Sequence, residues 1–129
     1  MADWTQKNLL SVDNAASSFG IEGGFEARFA AGDLEADDTG LGHQVLSPGA
    51  RSPFAHRHHQ AEEVYVVLSG GGRMKLDDAV IEISRLDAIR VAPSVARAFE
   101  AGDEGLEILV FGPRHKGDGE ILKEDVWAQ

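Results

Sequence analysis

Short runs of apolar residues, separated by polar turn residues, follow one another along most of the chain. Apolar and charged residues alternate over Phe25–Phe29, as expected of a strand with one buried face. Residues 64–68 are apolar at every position, which indicates a strand covered on both faces. Such runs recur roughly every ten residues, and no helix-period segment is long enough to connect parallel strands. The pattern predicts an all-β domain, either a sandwich or a small barrel.

Further strands are expected at residues 41–46, 54–58, 73–76, 79–83, 86–91, 95–101 and 106–111. The glycine-rich segments at 70–72 and 102–105 are predicted to reverse the chain between strands. Before the first strand, the sequence predicts a short helical turn that starts at an Asp13 N-cap and ends at Gly20. We therefore expect an N-terminal segment (1–24) that packs on the barrel, the barrel itself (25–112) and a C-terminal tail (113–129).

Composition narrows the classes of partner. The chain has 129 residues and a formal net charge of −10, which disfavours nucleic acid and anionic membrane surfaces as partners. It has no cysteine, so disulfides, thiol nucleophiles and thiolate metal ligands are excluded. No apolar run has the length of a membrane span, and the first residues lack the basic and apolar regions of a signal peptide. We expect a cytoplasmic protein.

The candidate chemistry lies in residues 56–63. His56 and His58 are two residues apart, so their side chains point to the same side of an extended strand. Glu63 begins the next apolar run, beyond a tight turn, and is expected to lie opposite them. Two imidazoles and one carboxylate are a competent site for a divalent metal ion. Gln60 and His43 are further candidate ligands that would complete it.

The order and spacing of these residues resemble the first motif of the cupin family. In that motif a glycine precedes His-x-His, a glutamate follows after three or four residues, and a second glycine after six more. The matching residues here are Gly49, His56, His58, Glu63 and Gly70. The spacing agrees except that Gly49 stands one residue farther from the histidines than usual.

The second cupin motif is only partly kept. Asp87 and Phe99 match it, but Leu86 replaces a glycine, and Arg97 stands where the family has a histidine. The resemblance implies a double-stranded β-helix, or jelly roll, of two packed antiparallel sheets that commonly pairs as a dimer. It also implies that the histidine missing at position 97 is the usual fourth metal ligand.

Arg97 changes what such a site can hold, because a guanidinium stays charged and has no lone pair to donate to a metal ion. At about 5 Å from a divalent ion, and with an effective dielectric of about 20, its repulsion would be roughly 6–7 kcal/mol. That equals several decades of affinity. The figure is an upper bound, since the long side chain can turn away.

Three interpretations follow. In the first, His56, His58 and Glu63 hold iron, manganese, zinc or nickel and leave open positions, as in facial-triad oxygenases. In the second, no metal is bound, and Arg97 pairs with Glu63 and presents its charge to an anionic ligand. In the third, the pocket is only a packed polar core. The candidate ligand contacts are Arg97, Tyr65, Phe99 and His43.

The leading hypothesis is a single-domain cupin that binds a small, anionic molecule in the barrel, with or without a divalent metal. One alternative is a metal-dependent enzyme of the dioxygenase or isomerase type, and another is a metal-free sensor or structural barrel. Val64, Val66 and Leu68 are apolar but face away from the predicted interior. The N-terminal segment or a second subunit must cover them, and we predict a homodimer that buries this face.

Overall fold

The computed structural model of the chain describes residues 3–128. Their regular structure consists of two short 3-10 helices followed by eight strands. The helices span Leu9–Ser11 and Ala15–Phe19. The strands are β1 (Phe25–Phe29), β2 (Thr39–Leu46), β3 (Ala55–His58), β4 (Glu63–Leu76), β5 (Ala79–Ser84), β6 (Ala88–Val91), β7 (Arg97–Pro113) and β8 (Gly119–Leu122).

Two long strands, β4 and β7, each take part in both sheets of the barrel. In the first sheet, residues 64–70 of β4 pair with residues 106–111 of β7, and the strand order is β1-β2-β7-β4-β6. In the second, residues 72–76 of β4 pair with residues 97–101 of β7, and the order is β5-β4-β7-β3-β8. All pairings are antiparallel. The prediction of an all-β, double-stranded β-helix is confirmed.

The core lies between the two sheets and follows the alternation of β4. Tyr65 and Val67 are fully buried and pair with Val110 and Ile108 of β7. Their neighbours in the sequence, such as Val66, are half-buried on the outer face. Side chains that alternate along a strand lie on opposite faces of the sheet, so one face of β4 fills the interior. Residues from both sheets complete the core, among them Leu46, Met74, Phe99, Leu106 and Val91.

The glycine-rich segments bend the two long strands and do not reverse the chain, so the prediction of turns at 70–72 and 102–105 is wrong. The structure shows β4 and β7 continuing through these segments, with a shift of register in their pairing. A Cβ on Gly72 would lie 2.0 Å from the carbonyl oxygen of Glu100, and one on Gly70 would lie 2.0 Å from that of Gly105. The two backbones therefore approach too closely here for any side chain.

The N-terminal segment is held against β1 by side-chain hydrogen bonds. Asn14, and not Asp13, caps the second helix, because its Oδ1 accepts the backbone N–H of Ala16 at 3.0 Å. The same oxygen accepts the backbone N–H of Ala27 in β1, also at 3.0 Å. Gly20 ends the helix in the left-handed conformation, as predicted (φ 75°). The cap therefore joins the helix to the barrel.

Residues beyond β7 also contribute to the barrel. Strand β8 pairs with β3 at the edge of the second sheet. Farther on, the Trp127 ring lies 5.1 Å from the guanidinium of Arg51 and 5.4 Å from that of Arg73. The division of the chain at 24/25 and 112/113 stays a prediction. No helix within residues 3–128 is both long and apolar enough to cross a membrane.

Replacing Gly72 by alanine should strongly destabilise the protein, because the added Cβ meets the Glu100 carbonyl at the crossing of β4 and β7. We expect the free energy of unfolding to fall by about 3 kcal/mol or more, measured by urea denaturation. Gly32→Ala is the matched control, since a Cβ there meets no atom within 4 Å. Equal urea midpoints for Gly72→Ala and Gly32→Ala would show that the two backbones move apart to accommodate the Cβ, and would contradict this prediction.

Candidate metal and ligand site

A cavity of about 390 Å³ lies between the two sheets. Its walls are mostly apolar, and its polar residues are concentrated around His56, His58, Glu63 and Arg97. A concave, mostly apolar space with a few converging polar groups is the usual form of a small-molecule site. The predicted site residues Tyr65 and Phe99 also line this cavity, and their rings pack 5.2 Å apart.

The three predicted metal ligands come together at the polar end of the cavity. His56 and His58 lie on the same face of β3, and Glu63 is the first residue of β4. The nearest ligand atoms of the three residues all lie within 4.8 Å of one another. The distance from Oε1 of Glu63 is 3.1 Å to Nε2 of His58 and 3.8 Å to Nε2 of His56. Small movements would let the three groups share one cation.

Asp118 fixes the turn between β3 and β4, a role that was not predicted from the sequence. Its Oδ1 accepts the backbone N–H of Gln60, and its Oδ2 accepts that of Ala61, both at 2.9 Å. The same Oδ2 lies 3.1 Å from Nδ1 of His58 in hydrogen-bond geometry. The residue is buried, just before β8. Asp118 lies sixty residues beyond His58 in the sequence, and no local motif connects the two, so the sequence alone does not indicate this contact.

The contact with Asp118 determines which nitrogen of His58 carries the proton when the imidazole is neutral. An ionised carboxylate can only accept, so Nδ1 carries the proton, and in the neutral imidazole Nε2 is then unprotonated. That Nε2 is buried and lies 3.1 Å from Oε1 of Glu63. It donates to this carboxylate when the imidazole is protonated and offers its lone pair to a cation when the imidazole is neutral. A nitrogen that faces one carboxylate, with a second carboxylate behind the ring, is the arrangement of a metal-ligating histidine. The residues present therefore fit a divalent metal ion.

Arg97 is held by its own loop and by Glu63. Its Nη1 donates to Oε1 of Glu63 at 2.9 Å, and Nε and Nη2 donate to backbone carbonyls. The carbonyl acceptors belong to Ala92, Pro93 and Val95. The side chain has no exposed surface. Because nearly all its donors are engaged, Arg97 acts on the site mainly through its charge and its hold on Glu63.

Ionisation of the cluster follows from these contacts. Burial tends to raise the pKa of Glu63, but the two imidazoles and the Tyr65 hydroxyl outweigh it and hold the pKa well below its usual range. The neighbouring Glu63 carboxylate raises the pKa of His58, so protons compete with a metal ion for that imidazole. Burial raises the pKa of Tyr65, which stays a hydroxyl and donates to Oε1 of Glu63 at 2.8 Å.

Two candidate residues lie elsewhere, which corrects their assignment to the site. His43 faces the outer side of the first sheet, where its Nε2 is 2.7 Å from Oε2 of Glu107. Its neighbours Gly42 and Gln44 line the cavity instead, because alternate residues of a strand face opposite sides. The side chain of Gln60 is exposed in the turn and does not line the cavity.

The fold and the cluster define a small jelly-roll barrel with a His-His-Glu group inside it. The family model of the cupin domain matches residues 42–112, more than half of the chain. The chain therefore belongs to the cupin family, and the resemblance seen in the sequence is confirmed.

Individual relatives agree with this assignment. The chain is 31% identical over 83 residues to the uncharacterised protein MJ1618 of Methanocaldococcus jannaschii, across 62% of this chain and 66% of that protein, just under two thirds of its length. A crystal structure of a cupin protein from Bacteroides fragilis superposes with a TM-score of 0.72 at 22% identity, covering 97% of this chain and 92% of that one.

The fold also occurs within a larger enzyme. Oxalate decarboxylase from Bacillus subtilis superposes with a TM-score of 0.78 at 18% identity, covering 95% of this chain but 33% of the enzyme. The chain thus spans about a third of that protein. At this identity the likeness shows a shared fold.

Replacing Asp118 by alanine should lower the stability of the protein, because it removes the acceptor for two backbone N–H groups and for His58. Burial tends to raise the pKa of Asp118, but the bonds from Ala61, Gln60 and His58 outweigh it, and the pKa is lowered. A lowered carboxyl pKa stabilises the fold above about pH 4, and this contribution is lost as the pH falls through the lowered pKa.

We therefore expect the urea midpoint of Asp118→Ala to lie below that of the unmodified protein at neutral pH, and the gap to narrow below about pH 4. Asp103→Ala is the control, since Asp103 is exposed in the bend of β7. A gap that is the same at all pH values would contradict the ionised role of Asp118.

Proposed function

We propose that the chain binds one divalent transition-metal ion through His56, His58 and Glu63 and takes a small, anionic molecule into the adjoining cavity. The observation that carries this proposal is the convergence of the ligand atoms of His56, His58 and Glu63 within 4.8 Å of one another, with the Asp118 carboxylate behind the His58 ring. Iron, manganese, zinc and nickel all accept two imidazoles and a carboxylate as ligands. Location in the cytoplasm stays a prediction from the sequence.

Each residue of the cluster has a separate part in this function. Asp118 keeps the proton of His58 on Nδ1. Arg97 and Tyr65 both donate to Oε1 of Glu63, so the carboxylate is held in one orientation and kept ionised. When bound, a divalent ion would supply Lewis-acid polarisation of a ligand oxygen.

The balance of charge supports an anionic ligand. Two positive charges of a metal ion and one of Arg97 face one negative charge each on Glu63 and Asp118, so the local charge is positive. Oxygen atoms of a carboxylate would then be attracted to the polar end of the cavity, where His56 and His58 also lie. Oxygenase or isomerase chemistry would use the same three ligands.

A metal-free binding pocket is the second candidate function, and the buried ion pair of Arg97 and Glu63 favours it. Nη1 and Oε1 are 2.9 Å apart, and the guanidinium is fully buried. A positive charge already neutralises the carboxylate, so a second cation is less strongly attracted. In that case the anionic ligand would accept a hydrogen bond from His56, because both ring nitrogens of His58 face carboxylates.

Metal binding is tested on tag-free protein that has been treated with a chelator and then supplied with zinc, manganese, nickel or ferrous iron. We expect one ion per chain by mass spectrometry of the metal content. His56→Ala and His58→Ala should each weaken binding by at least about a hundredfold, since each removes one of three ligands. His59→Ala, at an exposed position beside His58, should bind as the unmodified protein does.

The two candidates are separated by substitutions of Arg97. If the arginine has displaced the metal, the unmodified protein will take up none, and Arg97→His will gain an ion by restoring a fourth ligand. Arg97→Lys keeps the charge and should gain nothing. Circular dichroism of both variants checks that they fold, since removing one member of a buried ion pair costs about 3–5 kcal/mol. Uptake of metal by the unmodified protein would exclude displacement.

We also propose that two copies of the chain associate through the outer face of the first sheet. This outer face, as we use the term, is formed by Leu41, Val64, Val66, Leu109 and Phe111. The first four are half-buried, and Phe111 is 39% exposed. The register places Val66 opposite Leu109, and Phe111 between Leu41 and Val64, so these side chains form one continuous apolar patch.

Val66→Glu should convert a dimer into a monomer, because it places a charge in the centre of the outer face. Mass in solution at micromolar concentration is measured by light scattering or sedimentation. Val80→Glu is the control, because Val80 is 44% exposed on β5 of the other sheet and should leave the mass unchanged. A monomeric mass for the unmodified protein would end this proposal.

A further inference from the structure

The aromatic residues of the chain are gathered at one place. The sequence has six phenylalanines and one tyrosine. All seven line or border the cavity that holds the His-His-Glu cluster, whereas Trp4 and Trp127 lie outside it. The phenylalanines are Phe19, Phe25, Phe29, Phe54, Phe99 and Phe111. The buried core is built mostly of aliphatic residues, so packing of the core alone does not require the aromatic residues to gather around the cavity.

The rings reach the cavity from separate parts of the chain. Phe19 ends the second helix, Phe25 and Phe29 are the two ends of β1, Phe54 precedes β3, and Phe99 lies on β7. Phe111 borders the cavity, but its register opposite Val64 places it on the outer face. Convergence from four elements cannot result from one local motif. It points to a requirement of the cavity itself.

Two pairs of aromatic rings pack against each other in the wall of the cavity. Phe19 and Phe54 have centroids 5.4 Å apart at an interplanar angle of 61°, and Tyr65 and Phe99 are 5.2 Å apart at 58°. Both are inclined geometries typical of packed aromatic pairs. The Tyr65 and Phe99 rings are buried in the core, so the ring surface open to a further ring lies on the Phe19 side. The Tyr65 pair lies at the polar end of the cavity, since the Tyr65 hydroxyl contacts Glu63.

The pair that includes Phe19 lies nearer to solvent. Phe19 is 44% exposed and Phe29 is 54% exposed, although both line the cavity. Large apolar side chains left partly in water around a cavity mark a binding site, since a ligand would remove them from water. The exposure of Phe19 and Phe29 is thus explained if the cavity binds a ligand with a large apolar group.

We propose that the ligand is an aromatic carboxylate with one or two rings. This inference rests on the function proposed above and specifies the chemical class of its ligand. The carboxylate would lie at the His56, His58 and Glu63 end, and the ring system between the phenylalanines. A cavity of about 390 Å³ is roughly two and a half times the volume, about 150 Å³, of one that holds benzene. A flexible acyl chain of similar size would lose more conformational freedom on binding.

The test uses 2-naphthoate as the probe and protein labelled with 4-fluorophenylalanine. Because all the phenylalanines except Phe111 belong to the cavity, fluorine NMR then reports on it from several elements. We expect saturable shifts of most of these signals on titration. Protein labelled with 5-fluorotryptophan is the matched control, since Trp4 and Trp127 lie outside the cavity and should give unchanged signals.

Aromatic character is tested with two acids of nearly equal size. Benzoate should bind about threefold to tenfold more tightly than cyclohexanecarboxylate, because only benzoate gains contacts between aromatic rings. Phe19→Leu and Phe29→Leu should each weaken 2-naphthoate binding about threefold, and both positions are exposed enough to tolerate the change. Leu10→Ala, at a position 74% exposed and outside the cavity, should have no effect.

The outcomes separate this inference from the proposed metal site. The titrations are run on metal-loaded and on chelator-treated protein, with oxalate as a small anion that has no ring. Shifts with 2-naphthoate in protein that binds no metal would uphold the aromatic ligand and overturn the metal site. Binding of oxalate to metal-loaded protein, with no response to 2-naphthoate, would overturn the aromatic ligand alone. Equal or tighter binding of cyclohexanecarboxylate would also overturn it.

Discussion

The close crossing of β4 and β7 is the constraint on which the barrel and its site depend. These two strands supply the central pair of each sheet, and they can change sheets together only because Gly70 and Gly72 let the backbones approach. The crossing also sets the relative position of the site residues, because Glu63 begins β4 and Arg97 begins β7. A shift in register would move Glu63 relative to Arg97 and open the ion pair. The fold and the ion pair inside it thus both require the close crossing of β4 and β7.

Glu63 is the centre of the electrostatics inside the barrel. A buried carboxylate is stable only when hydrogen-bond donors or cations surround it. Here a single oxygen, Oε1, accepts hydrogen bonds from both Arg97 and Tyr65. A metal ion and Arg97 therefore contribute the same thing, positive charge beside Glu63. This explains how a chain with Arg97 in place of a fourth ligand histidine still keeps an ionised glutamate. It also explains why the affinity for a metal, and not the shape of the cluster, is the quantity that separates the two candidate functions.

The sequence predicts features that local spacing controls. The pair His56 and His58 lies on one short strand, and Glu63 follows a tight turn, so their convergence could be read from the order of residues alone. Asp118 could not be found in this way, because it meets His58 through the pairing of β8 with β3. The facing of His43 depends on the register of its strand with β7, which local spacing does not indicate. A bend between two sheets and a turn favour glycine equally, so the glycine-rich segments alone do not distinguish them.

The net charge of −10 and an anionic ligand are compatible for a reason of distance. At physiological ionic strength charges more than about 8 Å apart in water are largely screened, whereas groups inside a cavity are screened much less. The charged groups of the cluster, which are Arg97, Glu63, Asp118 and any bound cation, therefore determine the potential where the carboxylate would lie. The acidic surface still disfavours approach of highly charged anions. A ligand with one carboxylate and an apolar ring system satisfies both conditions, since most of its binding free energy would come from burial of the rings against the phenylalanines.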